Sequence, residues 1–352
     1  MSSLRPLFAV LILLVACTTP EKEPEVATSP PGLPDLGAVA EALEKGPVPG
    51  GAGVWLRGSR HGSLRAALLA AKDGDRIELE SGVHAGPIEI MKSVDLAPHS
   101  AEGQAVIDSR SPLAVRVRGG ARVSLRHLEI RASGNHRSDA EAAVVVQGAV
   151  LEIVSCTINS RRSGALSVLS ATVDIDASTI VSEAWQSAVM IGNESVAELR
   201  DCRVEARAER SSGLEVWGAH CVMKLGEIRA GTAALVAGQG SEVSAVGVRL
   251  RGAGAACLPG GWMEMQTCDV RDVEKGVVVR GVVGLVANRF QGNQVAVMVA
   301  GTDARLTVSG NVSTANVAWL GLIEGAELRQ ITDLDLTEEE PAEAGDQGRR
   351  EG

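Results

Sequence analysis

Along most of this chain an apolar residue is followed by four small or polar ones and then by a second apolar residue. The pattern runs Leu125 to Ile130, Ile153 to Ile158, Ile175 to Ile180, Leu199 to Val204, Met223 to Ile228, Ala245 to Leu250, Met265 to Val270 and Leu285 to Phe290, with Val312 as a weaker ninth anchor. A further apolar stretch opened by Ala or Gly follows each pair: Ala143–Val146, Ala165–Val168, Ala188–Ile191, Gly213–Val216, Ala234–Val236, Gly276–Val279 and Val295–Met298, with Leu113–Val117 as an earlier copy. The repeat is roughly 22 residues long, the length expected of a solenoid unit. No unit has an apolar run long enough for a helix, and glycine-containing turns separate the runs. Two or three short strands per unit, each pairing with its counterpart one unit away, predict a parallel β-helix. A leucine-rich repeat is excluded by the missing helical half, and a propeller by the period.

The alternation within units predicts which side chains point inward. Two residues before each anchor stand Leu128, Cys156, Ser178, Cys202, Gly226, Val248, Cys268, Asn288 and Gly310, small residues sharing the parity of the anchor. One residue before it stand Glu129, Thr157, Thr179, Arg203, Glu227, Arg249, Asp269 and Arg289, which should face outward. From Arg203 onward their charges alternate in sign, so coils stacked about 4.8 Å apart would bring opposite charges together.

The N-terminal part predicts a lid. Ser63 can cap an Ala-rich amphipathic helix over 63–72, ended by Asp73-Gly74-Asp75. A solenoid needs such a cover for its open end. Arg76–Leu79, Ile88–Ile90, Val94–Leu96 and Val106–Asp108 would begin the coils. The run Ser63-Leu64-Arg65-Ala66-Ala67, then Ala71-Lys72-Asp73-Gly74-Asp75-Arg76-Ile77, then Ser81-Gly82-Val83-His84 resembles the opening of right-handed parallel β-helix proteins of the pectin-lyase-like superfamily. Gly82-Val83-His84 departs from the family's Gly-Thr-Tyr-like turn. Asn288 matches the interior Asn position of the generic parallel β-helix repeat. The resemblance covers about residues 51–330 and implies an all-β, single-stranded, right-handed parallel β-helix of about ten coils with a short capping helix. It implies little about activity, because lyases, hydrolases, esterases, adhesins and non-catalytic proteins share the fold.

The ends of the chain differ in character. In residues 1–16, Arg5 precedes the apolar run Leu7–Ala16, which is too short to span a bilayer. Leu14-Val15-Ala16-Cys17 resembles the bacterial lipobox, which implies cleavage before Cys17 and its lipidation. Thr18 and Thr19 would then direct the product to the outer membrane, on its periplasmic or its surface side. Residues 17–50 form the lipidated cysteine and a Pro/Glu-rich tether, and residues 331–352 a charged tail expected to be disordered. Tether and tail carry most of the net charge of −10, so the solenoid is close to neutral. Neither composition nor export suits a nucleic-acid partner.

Candidate chemistry is sparse. Without Cys17 the cysteines are Cys156, Cys202, Cys221, Cys257 and Cys268. Cys156, Cys202 and Cys268 lie whole coils apart and should be buried free thiols, whereas Cys221–Cys257 and Cys257–Cys268 pairing stays open. No spacing suits a transition metal. Glu152, Asp174 and Glu198 stand six before their anchors on three consecutive coils, an outward carboxylate column that could take calcium or acquire raised pKa values. The turns after the anchors form a second candidate. Ser133–Asp139 is enlarged and holds His136 and Arg137, and the next turns hold Arg161 and Arg162, then Glu183 and Trp185, then Arg207, Glu209 and Arg210. This basic edge could pair with anionic groups while Trp185 stacks on a sugar. There is no Tyr, and Trp217 and Trp262 are expected on other strands or turns than Trp185, so no long aromatic platform is predicted. The sequence therefore favours a non-catalytic cell-envelope lipoprotein that binds anionic glycans or serves as a scaffold. Its membrane contact would be the lipid on Cys17, and it would need no cofactor other than a candidate calcium. The alternative is a polysaccharide lyase or glycoside hydrolase acting through Glu152, Asp174 and Glu198, or through His136 with Arg137 and Arg162.

Overall fold

Val150–Val154, Thr157–Ser160 and Gly164–Leu169 form one coil, and Thr172–Asp176, Thr179–Ser182 and Val189–Gly192 form the next. Each strand pairs in parallel with its counterpart: Ile153 faces Ile175, Ile158 faces Ile180, and Val168 faces Ile191. In this computed structural model, which describes residues 52–134 and 142–323 and the backbone of 337–338, the pattern repeats into a parallel β-helix of about ten turns. Among the described residues, three sheets of 13, 12 and 11 strands form its walls. The two members of each apolar pair straddle the corner between the first and second sheets, and the further apolar stretch forms the third. The expected all-β fold is thus present, with three strands in every full coil.

The interior is one continuous apolar column in which Leu125, Ile153, Ile158, Ile180, Val204 and Leu250 have no exposed surface. Burying one such isoleucine stabilises by about 1.5–3 kcal/mol. Sequential stacking lets each coil complete the burial of its neighbours.

The corner between the first and second sheets carries the small interior column. A residue in left-handed conformation turns the chain there, for example Ser155 (φ 51°) or Ala177 (φ 47°). The next side chain points inward and satisfies backbone groups that the turn leaves unpaired. The N–H of Cys156 donates to Ser178 Oγ (3.0 Å), and that of Cys268 to Asn288 Oδ1 (2.8 Å). Asn288 Nδ2 donates to the Met265 carbonyl (2.9 Å) and to Asn311 Oδ1 (2.9 Å), and Asn311 Nδ2 to the Leu285 carbonyl (2.9 Å).

The ninth coil departs from the expected register. Val312 lies opposite Arg289, and Ser313 takes the place opposite Phe290. Asn311, not Gly310, therefore continues the interior column. Val308 lies opposite Leu285, so the same five-residue step that leads from Leu285 to Phe290 leads from Val308 to Ser313, and Val312 falls one short of the anchor position.

At the other end, helix α1 spans Leu64–Ala70, with the Ala66 N–H donating to Ser63 Oγ (3.2 Å). It stops before Lys72 because the Lys72 N–H donates to Asp75 Oδ2 (2.6 Å). Lys92 Nζ donates to the carbonyls of Leu69 (2.8 Å) and Ala71 (2.6 Å), satisfying the helix C-terminus. The sequence reading missed an antiparallel hairpin, Val54–Leu56 with Ser59–His61, laid against Asp75–Leu79. It covers the leading edge of the first sheet, an edge that would otherwise offer unpaired backbone groups. Glu80 fastens it, accepting from the Gly53 N–H (2.7 Å), Trp55 Nε1 (2.9 Å) and Arg60. These donors, Arg60 first, hold the Glu80 carboxyl down at about 2.

All five described cysteines are buried and free, so no disulfide forms among Cys221, Cys257 and Cys268. Burial pushes the Cys221 thiol up to about 12 and those of Cys156, Cys202, Cys257 and Cys268 up to about 11.

If the Asn column supports the corner as described, Asn288→Ala leaves the Cys268 N–H and the Met265 carbonyl without partners. The expected loss is about 1–3 kcal/mol. Equilibrium urea unfolding should show a lower midpoint, and an unchanged midpoint would refute this role.

Candidate functional site

The outward faces of the three sheets differ in charge, and that difference selects the site. On the first sheet, Glu152 lies opposite Asp174 and Asp174 opposite Glu198, so the expected carboxylate column exists. Each member is matched by a cation. Glu152 pairs with Arg126 (2.8 Å), Asp174 with Arg200 (2.6 Å), and Glu198 with Lys224 (2.9 Å) and Arg200 (3.2 Å). Hydrogen bonding from Lys224, above all, holds the Glu198 carboxyl below its usual range. At Glu198 the direction is therefore opposite to the expected rise, since cations compensate the charge that stacking concentrates. Among the described residues no group of three His, Cys, Asp or Glu side chains is placed to hold a metal ion.

The second sheet is charge-compensated too. The expected outward column stacks in register from Glu129 through Arg289. Its ion pairs run along strands and diagonally more than straight up the column. Arg203 pairs with Glu205 (3.3 Å), and Asp269 with Arg251 (2.8 Å) and Arg271 (2.7 Å), while Arg249 does reach Glu227 (3.8 Å). Desolvation opposes ionisation of Asp269, yet hydrogen bonds from Arg271 and Arg251 keep its carboxyl below the ordinary range. Glu129, expected at the surface, is nearly buried because Gln104 Nε2 (2.6 Å), Arg131 and Asn159 Nδ2 (3.3 Å) close over it.

The third sheet is different. Its central outward column reads Val145, Ser167, Met190, Glu215, Val236, Ala256, Val278 and Met298 in consecutive register. Glu215 is the only charged residue among these. The same column opens with Glu89 and Arg116, and Glu89 pairs with Arg118 (2.7 Å). This face is therefore ion-paired in its first coils and nearly free of charge from Val145 onward, which is the feature to be explained.

A groove of about 340 Å³ opens on this face, floored by Ser167 and Met190 and walled by Trp185, Gln186, Arg210 and Glu215. The wall comes from the turns between the second and third sheets, where rigid strands present variable loops. Trp185 is 66% exposed and Ser167 only 2% exposed. Ser167 lines the groove, and its buried Oγ has no hydrogen-bond partner, which is costly for a hydroxyl. Arg210 makes no ion pair among the described residues.

The structure divides the predicted basic edge. Trp185 and Arg210 line the third-sheet groove. Arg161 and Arg207 instead line a separate groove of about 420 Å³ on the second-sheet side, with Asp108, Arg131 and Glu183. Arg207 is engaged there by Glu205 (3.1 Å) and Glu183 (3.3 Å). Arg162 sits in the turn between these grooves with contacts of its own. His136, Arg137 and Cys17 lie outside the described residues. Trp217 ends the third-sheet strand Ser212–Trp217, on the face that holds the groove, while Trp262 begins a first-sheet strand. The sequence reading missed Ser167 and Glu215, whose only signal was two polar residues in an otherwise apolar outward column.

These features define a parallel β-helix with two faces ion-paired along their length and a third whose middle coils carry little charge and hold the groove walled by Trp185 and Arg210. No protein-family profile and no curated protein matches the chain. Among solved structures it is similar to pectate lyase Pel9A (13% identity over 77% of this chain and 74% of that one, TM-score 0.47). It is also similar to PfbA, a surface adhesin of Streptococcus pneumoniae (9% identity, 81% and 92% covered, TM-score 0.41). A third likeness is to a pectin methylesterase from Yersinia enterocolitica (14% identity, 73% and 81% covered, TM-score 0.33). None of these likenesses assigns a residue role.

If Ser167 is kept for a ligand, its hydroxyl contributes nothing to the fold. Ser167→Ala should therefore match or exceed the wild type in thermal midpoint. Ser195→Ala should lower it, because Ser195 Oγ accepts from the Ala171 N–H (3.2 Å). A clear loss of stability in Ser167→Ala would count against the assignment.

Proposed function

We propose that this protein is a non-catalytic glycan-binding β-helix, displayed at the cell envelope by a lipid on Cys17. The observation that carries the binding reading is the third-sheet groove: an exposed indole, a buried hydroxyl without a partner and a guanidinium that makes no ion pair among the described residues, on a stretch of sheet with little charge. A sugar ring offers an apolar face for Trp185 and hydroxyls for Ser167 and Glu215, and a uronate or sulfate would pair with Arg210. Binding is favoured over turnover because the aligned carboxylates Glu152, Asp174 and Glu198 are tied to cations on another face. A general acid would need the opposite environment, one that keeps the carboxyl protonated.

The binding test is a panel of acidic and neutral polysaccharides presented to the purified protein. An acidic glycan should bind, with affinity falling as salt rises. Trp185→Ala and Arg210→Ala should each weaken it by about tenfold, the equivalent of about 1.4 kcal/mol. Absence of any bound glycan would overturn the reading, and release of unsaturated products or new reducing ends would overturn its non-catalytic part.

Anchoring is tested separately. Cells expressing the full chain and fed labelled palmitate should yield a labelled protein in the membrane fraction. Cys17→Ala should abolish the label and release the protein, and equal labelling of both forms would remove the anchor from the proposal.

A further inference from the structure

Trp217 lies on the same face as the groove, one coil further along than Trp185. Both of its neighbours in its outward column are glycines, Gly192 before it and Gly238 after it. The indole lies against Gly238 so closely that a Cβ added there would come within 2.2 Å of the ring. Its Nε1 donates to Glu215 Oε2 (3.2 Å), which fixes the ring orientation. The ring remains 40% exposed. A large aromatic seated on bare backbone, held by one hydrogen bond and open on its other side, is preorganised for stacking.

Glu215 belongs to the groove as well, so Trp185, Arg210, Glu215 and Trp217 follow one another across the third sheet. Trp217 is five residues beyond Ser212 on a single strand, or roughly 16 Å at the usual rise. Trp185 stands in the turn before the neighbouring strand Val189–Gly192, so the two residues sit at opposite edges of the third sheet, a span longer than one sugar ring. From this juxtaposition we infer that Trp185 and Trp217 are two stacking platforms for a single oligosaccharide, which lies along the strand Ser212–Trp217 and passes over Glu215. The inference rests on the glycan-binding reading and adds the ligand's length and direction. Stacked at both ends, an oligosaccharide gains affinity from its second contact, while a monosaccharide occupies only one platform.

The other openings carry less. The cleft beside α1 lies between the cap and the first third-sheet strands, and in the second-sheet groove Arg207 is already engaged by Glu183.

The experiment is calorimetric titration of the full chain with size ladders of oligogalacturonate, oligomannuronate and cello-oligosaccharide, each starting from the single sugar. In the wild type the affinity for at least one ladder should climb with length and then level off. Trp217→Ala should bind the shortest fragments as the wild type does and lose about tenfold for the longest. Trp217→Phe, which keeps an aromatic ring over Gly238, should retain most of the climb and guards against misfolding of the alanine variant. Affinity independent of length in the wild type, or an identical climb in Trp217→Ala, overturns the two-platform inference while leaving glycan binding intact. No binding of any ladder overturns both.

Discussion

Parallel hydrogen bonding in register is the constraint on which the rest of this structure depends. Every strand lies over its counterpart about 4.8 Å away, so each side chain meets the same position of the next coil. Inside, this demands columns of compatible size, met by Ile153, Ile175 and Leu199 in one wall and Ile158, Ile180 and Val204 in another. Outside, it demands that any repeated charge be neutralised. The column Glu152, Asp174, Glu198 would be repulsive by itself, and Arg126, Arg200 and Lys224 resolve the repulsion. From Val145 onward the third-sheet column carries one charge, Glu215, so stacking imposes little electrostatic requirement there, and the groove beside Trp185 opens on that stretch.

The corners are the second level of control. A parallel β-helix changes direction three times per coil and must satisfy the backbone groups that each turn leaves free. Here the job falls to the small interior column, and its occupants change along the axis from Cys156 and Ser178 to Asn288 and Asn311. Where asparagine enters, one side chain reaches two carbonyl or carboxamide partners and links three coils. The corners between the second and third sheets have an interior ladder of their own in the later coils, through Asn293 and Asn316, while in the middle coils their outward side chains, Trp185 and Arg210 among them, wall the groove.

Much of this was legible in the amino-acid order because a solenoid converts sequence period directly into position. The anchors Ile130 to Phe290, the inward cysteines, the outward charged column and the capping helix all follow from parity and spacing. What was not legible depends on the path of turns. Val54–Leu56 and Ser59–His61 are too short to show alternation, and only their pairing with Asp75–Leu79 makes them strands. The basic edge read as one cluster because spacing cannot tell on which side of a ridge a side chain falls, yet Arg161 and Arg210 line different grooves. Trp217 does lie on a different element from Trp185, as expected, but that both belong to one side of the third sheet was not legible. The ninth anchor was misplaced by one because an apolar Val312 stands beside the polar Ser313 that occupies the position, which leaves Asn311 in the core.

The five enclosed thiols give the fold a direction in time. Before the coils close, each sulfhydryl is an ordinary one that can be oxidised or joined to another. Afterwards it is shut away, with its proton held up to about 11 or 12. Since these cysteines belong to different coils or different walls, a crosslink made early would clamp together parts of the chain that must stack apart. Covalent chemistry on sulfur can only hinder assembly here, never stabilise its product, so folding competes with oxidation and, once complete, ends the competition.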